Sequence, residues 1–484
     1  MAARVFAAVD IGASGGRVIA GVVDANAAGR AHTGPTVALH TVHRFPNGMR
    51  EADGHLRWDI GGLYDEVRLG LRTLGREFPT VESIGIDTWA VDYGLIDAGG
   101  SLLADPIAYR DTRTDAAVGR VHELVDADAL YEINGLQHLP FSTLYQLDAE
   151  RHGPNWDRAA HALLLPDLLA YWLTGTMRTE YTNASTTGLV DVRRREWSGA
   201  LFDRLGIPPE LFPPLEQPGT VRGAITAGVA RDLDLPTTVV VTTVGSHDTA
   251  SAVVGVPARG TDFAYVASGT WSLVGLELDE PVITLASRAA NFTNEAGVGG
   301  RTRFLRNVGG LWLLQESMRA WALDGVEHDL AGLLDDAAAL PSGGPTIDVD
   351  DPMFIPPGDM PQRIREAAGA AAEGRLDSHA AITACIIESL AAGYARTVAE
   401  ASRLAGRTVA TIHIVGGGAQ NRLLCRRTAT LSGLPVAAGP VEATALGNVC
   451  VQAMAAGALT DDLDAVRRVV GGNLDVVSYA PGST

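Results

Sequence analysis

Four short stretches of the sequence gather residue types able to hold phosphate and move a proton. Asp10 closes an apolar run at 4–9, and Gly12, Ala13, Ser14, Gly15, Gly16 and Arg17 follow it. Small residues let backbone N–H groups converge on one concavity, which is what an anion requires. A carboxylate beside a polyphosphate usually partners Mg2+, which takes one or two carboxylates together with phosphate oxygens and waters. The alternative is an ordinary glycine-rich turn with Asp10 as its cap. Ser268, Gly269 and Thr270 offer the same chemistry later in the chain, and Gly416, Gly417 and Gly418 follow the β-branched run ATIHIV. Three glycines after a strand suggest close approach of a ligand to backbone. Two such hairpins and a strand ending in three glycines together point to nucleotide binding. The fourth stretch is SHD at 246–248. Asp248 there either takes a proton from an attacking hydroxyl, which is worth about 10²–10⁴ in rate, or caps a helix beginning TASAVV with Ser246 or Thr249 assisting. Spacing alone favours the cap, and His247 reads first as a loop histidine.

The elements that must position these residues occur twice. RVFAAV at 4–9 and VIAGVVD at 18–24 read as two strands around the first glycine turn; FAYVA at 263–267 and WSLVGLELD at 271–279 flank the second. SIGIDTWAVD at 83–92 and TIHIVGGGAQ at 411–420 are each a short strand running into a loop, preceded by helical stretches at 61–78 and 379–404. In the second helix Ile382, Ile386, Leu390, Tyr394 and Val398 share one face. The pattern is two copies of one α/β unit, separated by the proline-rich stretch 206–219, with the junction near 236–250. AYRDTRTD at 108–115 reads as an ion-pair loop, and 134–147 as a loop becoming a helix with Phe141, Leu144 and Tyr145 in the core.

Composition removes several function classes. The 484 residues carry a net charge of -19, which argues against nucleic acid or an anionic membrane surface as partner. All 38 basic residues are Arg, so a Walker A loop, a protein-kinase strand lysine and a pyridoxal Schiff base are all excluded. The 3 cysteines lack metal or disulfide spacing. With no run of 18 apolar residues and no leader-like start, the expectation is a cytoplasmic protein without a membrane span.

The ordered series VDIGASGGR (9–17), GIDTWAVD (85–92), AYRDTR (108–113), LPFSTLYQL (139–147), EYTNASTTGLV (180–190), SHDTASAV (246–253), ASGTWSLVG (267–275), GLWLLQ (310–315), HIVGGGAQN (413–421) and GPVEATALGN (439–448) resembles the FGGY carbohydrate kinases. GIDTWAVD, LPFSTLYQL and SHDTAS single out the branch that phosphorylates L-rhamnulose. The resemblance implies an α/β fold of two ribonuclease-H-like domains, of the actin/hexokinase ATPase superfamily, with a cleft between them. The domains expected are 1–244, carrying the sugar side and first phosphate hairpin, and 245–484, carrying ATP. It implies transfer of the γ-phosphate of ATP to the 1-hydroxyl of L-rhamnulose, in L-rhamnose catabolism. Ala13, Ser14, Gly15, Gly16 and Arg17 match the phosphate loop; Thr270, Asn307, Gln315 and Gly417 match positions lining ATP. Asp248 matches the catalytic base, in place of the cap that spacing alone favours, and Ala90, His247 and Thr249 match its sugar-side neighbours. Asp10 takes the Mg2+ role. Two departures stand out: Ala90 replaces a glycine of the family pattern, and Gly15 replaces a serine. The rivals are a kinase of L-fuculose, L-ribulose or D-xylulose, and a non-catalytic regulator. Oligomeric state is left open.

Overall fold

The structure is a computed structural model that describes residues 3–25, 28–29, 32–33, 35–473 and 476–482. The chain forms two compact units. The first contains Met1–Pro257, Glu277–Phe304 and Ala443–Asn473; the second contains Ala258–Leu276, Leu305–Glu442 and Leu474–Thr484.

The sheet of the first unit has six strands: β1 (Arg4–Gly12), β2 (Gly15–Asp24), β3 (Thr36–Pro46), β4 (Val81–Thr88), β5 (Val221–Ala224) and β6 (Val240–Thr242), in the order β5-β6-β4-β1-β2-β3. β1, β2 and β3 form an antiparallel meander, while β4 lies parallel to β1 and β6 parallel to β4. Every residue from Val5 to Ile11 is buried, so this central strand is covered on both faces and reads as an apolar run as far as Asp10. The helix Ile60–Glu77 presents Ile60, Leu63, Val67, Leu71 and Leu74 to the core and starts where the Asp59 carboxylate accepts from Gly62 N. A second helix, Ala443–Ala455, is buried along most of its length and lies against β1 and β4.

The second unit repeats the plan. Its sheet uses β7 (Phe263–Ser268), β8 (Trp271–Leu278), β9 (Thr302–Gly309), β10 (Thr411–Val415), β11 (Val436–Ala438) and β12 (Val477–Tyr479), in the order β9-β8-β7-β10-β11-β12, and the short strand Thr293–Ala296 adds a seventh at the edge beside β9. β7 and β8 are antiparallel, and β10 and β11 run parallel to β7. In both sheets the third, second and first strands are followed by two parallel ones, the ribonuclease-H-like order that the resemblance implies. The helix His379–Ala405 buries Ile382, Ile386, Leu390, Tyr394 and Val398 along the expected face. Among the described residues no helix is long and apolar enough to cross a membrane, and the three cysteines are buried and free.

Candidate active site

In the first unit the strand register brings three chemical groups side by side. Asp10 on β1 faces Arg17 on β2 and Asp87 on β4. Arg17 Nε lies 3.1 Å from Asp10 Oδ2. Asp87 is fully buried and accepts from Asn448 Nδ2 at 2.5 Å, while its Oδ1 has no hydrogen-bond partner. Burial pushes the Asp87 carboxyl well above the usual carboxylate range. The charges of Asp10 and Asp248 push it the same way, against the Asn448 hydrogen bond and Arg17. Asp87 therefore feels two further carboxylates, Asp10 on the neighbouring strand and Asp248 at the start of a helix.

Past Asp87 the end of β4 is bridged to the loop that follows β6 and carries Asp248. Thr88 N donates to Ser246 O at 2.9 Å. Glu180, fully buried, holds this loop by accepting from Ser246 N and Oγ at 3.2 and 2.7 Å, and also from Thr182 N, Thr182 Oγ1 and Asn183 N. Asp248 is the first residue of the helix Asp248–Val254. The cap position belongs to His247, which makes no side-chain capping bond. The capping role that spacing favoured for Asp248 is therefore not what its carboxylate does. That carboxylate is 31% exposed and accepts from Thr249 Oγ1 at 3.0 Å. His247 is buried, with Nδ1 3.0 Å from Arg303 Nη2. The same Nδ1 lies 3.3 Å from Glu295 Oε2, and Nε2 lies 3.6 Å from Asp248 Oδ1. Arg303 is itself buried and paired with Glu295 at 3.1 Å.

The first glycine turn is tighter than its sequence suggests. Only Ala13 and Ser14 form the turn, because Gly12 already pairs with Gly15. Asn47 closes over it, donating through Nδ2 to Gly12 O at 2.9 Å and through N to Ser14 O at 3.3 Å. Gly15 borders the turn, whereas Gly16 is buried within β2 and Arg17 turns back to Asp10. Ala90 is half-buried in the turn after β4. The left-handed residue there is Val91, with φ 67°, so an alanine at 90 meets no backbone penalty.

In the second unit Thr270 lies in the turn between β7 and β8, which is stapled to the segment before helix Trp312–Leu323: Leu311 N donates to Gly269 O at 2.9 Å and Trp312 N to Thr270 O at 3.2 Å. Gln315 is exposed one turn into that helix, and Asn307 is half-buried near the end of β9. Gly417 is exposed just beyond β10. Its neighbour Gly418 comes so close to Ser268 that a Cβ would collide with the seryl side chain. Tyr394 fastens the hairpin from below, its hydroxyl 2.5 Å from Ser272 Oγ and 3.4 Å from Ser268 Oγ; burial raises it to about 12. Thr270, Gln315 and Gly417 thus border one edge of this unit.

The model of the FGGY family of carbohydrate kinases, N-terminal domain, matches residues 5–255, and that of the C-terminal domain matches 264–456. The chain belongs to this family. It is an ATP-dependent sugar phosphotransferase, with ATP and a sugar as its small-molecule partners. This kinase is 40% identical over 484 residues to a rhamnulokinase of Pectobacterium carotovorum, covering 99% of this chain and 94% of the relative. It is 40% identical over 460 residues to a rhamnulokinase of Enterococcus faecalis, covering 95% and 90%. The kinase also shares its fold with a gluconate kinase from Lactobacillus acidophilus (TM-score 0.77, 16% identity, covering 99% and 94%) and with a xylulose kinase from Rhodospirillum rubrum (TM-score 0.75, 20% identity, covering 99% and 94%).

Sequence reasoning missed Asp87, Asn448, Glu180 and the Arg303–Glu295 pair. Asp87 ends a strand as Asp10 does, so the same criterion could have found it. Glu180 and Arg303 carry no local signal, because they act on residues 66 and 56 positions away.

Proposed function

We propose that this kinase transfers the γ-phosphoryl group of ATP to the 1-hydroxyl of L-rhamnulose, giving L-rhamnulose 1-phosphate and ADP. The observation that carries the chemistry is Asp248: a part-exposed carboxylate set beside two buried ones and held by a rigid loop. Asp248 accepts the proton of the 1-hydroxyl as that oxygen attacks the γ-phosphorus, and the bond from phosphorus to the bridging oxygen breaks with its electrons left on ADP. His247, Thr249 and Ala90 face the sugar. Backbone amides from Ala13 to Gly16, with Arg17, serve the phosphates, and Thr270, Asn307, Gln315 and Gly417 serve the nucleotide.

Mg2+ fits the residues present. The buried, unpartnered Asp87 Oδ1 lies across from Asp10, offering hard oxygen donors. No group of three His, Cys, Asp or Glu among the described residues encloses a cation. That suits an ion needing only one or two carboxylates besides phosphate oxygens. Asp10 and Asp87 would hold it, and when bound it would offset charge on the phosphates. The choice of L-rhamnulose is supported by relatives named rhamnulokinase over nearly the full chain. The test is ADP release with Mg-ATP across L-rhamnulose, L-fuculose, L-ribulose, D-xylulose and glycerol, beside a sugar-free control. Preference for L-rhamnulose is expected; preference for another sugar would overturn the substrate and keep the kinase.

A further inference from the structure

The turn that carries Ala90 is fastened by one enclosed carboxylate. Asp92 is 1% exposed, and its Oδ2 accepts from Trp58 Nε1 at 2.7 Å, Trp89 Nε1 at 2.9 Å and Tyr109 N at 3.2 Å. Its Oδ1 accepts from Gln146 Nε2 at 3.1 Å. These donors come from four places: the strand His55–Trp58, the turn itself, the loop before the short helix at 112–114, and the helix Thr143–Glu150. The indoles of Trp58 and Trp89 stand with ring centroids 4.3 Å apart, so the carboxylate ties together two rings already in contact.

The backbone just before Asp92 needs this support. Val91 is β-branched and sits at φ 67°, and Asp92 N donates to Ala90 O at 2.9 Å. That closes a γ-turn of the rare positive-φ kind, a strained form for any residue with a branched Cβ. The Val91 carbonyl is held as well, accepting from Thr143 Oγ1 at 2.7 Å and Gln146 Nε2 at 3.2 Å. Strain of this sort persists only where the surroundings over-determine the conformation. Here the carboxylate and the carbonyl on either side of the strained bond are both held by several donors.

We propose that Asp92 is a positioning residue for sugar recognition: it fixes the Trp89 indole and the γ-turn at Val91, and so sets where Ala90 meets the substrate. The proposal rests on the reading of Ala90 as a sugar-side residue. Asp92 acts through the turn and does not reach the sugar itself. An asparagine in its place keeps the shape but supplies an NH2 where an acceptor is required, facing only donors. Gln146 cannot flip its amide to compensate, because its Oε1 already accepts from Arg113 Nη2 at 2.9 Å. The turn then loses its fixed position, and the cost falls on binding of the sugar and not on binding of ATP.

The experiment compares Asp92→Asn and Ala90→Val with the unsubstituted kinase, using whichever sugar it prefers, and separates KM for sugar, KM for ATP and kcat. For Asp92→Asn we expect a sugar KM raised about tenfold or more, with the ATP KM within about twofold. Ala90→Val should raise the sugar KM as well. A raised KM for Ala90→Val with an unchanged one for Asp92→Asn would overturn the positioning role and leave the reading of the turn intact. No change in either would overturn both. A fall in kcat alone, with the sugar KM unmoved, would mean that Asp92 only supports the fold. Should Asp92→Asn fail to fold, Trp58→Phe removes a single donor while keeping the buried ring. It should raise the sugar KM severalfold, and an unchanged KM there also overturns the proposal.

Discussion

Asp10, Asp87 and Asp248 are the same functional group in three surroundings. Asp87 is enclosed and pushed strongly toward its protonated form, Asp10 is paired with Arg17, and Asp248 alone of the three has a substantial part of its carboxylate exposed. Of the three, only the last has the exposure that the proposed base needs. Replacing Asp248 by Asn removes the basic oxygen while keeping size and the hydrogen bond from Thr249. The variant should fold, bind sugar within about threefold of normal by calorimetry, and lose at least about 10²-fold in kcat. Near-normal turnover would exclude it as the base. Asp10 stands out in the sequence because it closes an apolar run beside small residues, and Asp248 because it lies in the polar loop after a β-branched strand, with its proposed role as base coming from the family resemblance. Whether Asp248 caps a helix was not legible, since that depends on which residue the backbone makes the first helical one. Glu180 and Arg303 were hidden for a different reason. Their partners are distant in sequence, and a lone buried carboxylate or guanidinium looks like any surface charge until the fold encloses it.

Among the elements, the strands were the easier to read. Central strands such as β1 are covered on both faces, so burial writes an apolar run directly into the sequence. The helix Ala443–Ala455 is apolar all round and buried, yet its Asn448 and Gln452 join it to β4 through a chain of hydrogen bonds: Ser83 Oγ to Gln452 Oε1 at 2.5 Å, Gln452 Nε2 to Asn448 Oδ1 at 2.7 Å, and Asn448 to Asp87. This helix also packs on Asp248–Val254, where Gly447 comes so near the Ser251 carbonyl that a Cβ would strike backbone. Two effects compete in Gly447→Ala. Helix propensity favours alanine by up to about 1 kcal/mol, and a clash with backbone costs about 1–3 kcal/mol or more. The clash should win, lowering Tm and shifting the helix that begins at Asp248. Gly119, in the helix Asp115–Leu124, has nothing within 4 Å of its Cβ position. Gly119→Ala should therefore stabilise by up to about 1 kcal/mol. Thermal melts of the two variants with opposite signs are expected; the same sign for both would refute the packing argument.

The whole molecule carries a net charge of -19 and several buried carboxyls that resist ionisation. Burial pushes Asp92 and Asp167 each up to about 6, and raises Asp87 and Glu180 as well. A carboxyl whose folded value lies above its unfolded one holds its proton more tightly when folded. Its contribution is present at low pH and is lost as pH rises through the folded value. For Asp92 and Asp167 the window lies between about pH 4 and 6, and each regains roughly 1 kcal/mol on going from pH 8 to 5.5. Partial neutralisation of the acidic surface acts in the same direction. Tm should rise by about 2 °C over that interval, and a falling Tm would refute the assignment. One more property follows from how the chain is threaded. Strands β1 to β6 leave the ribosome early, but the helix that covers β1 and β4 and supplies Asn448 to Asp87 is made near the end. At about 5–20 residues per second the nascent sheet waits on the order of ten seconds or more with an apolar face uncovered. Such an interval invites a holding chaperone, and it makes translation speed part of how this enzyme reaches its active form.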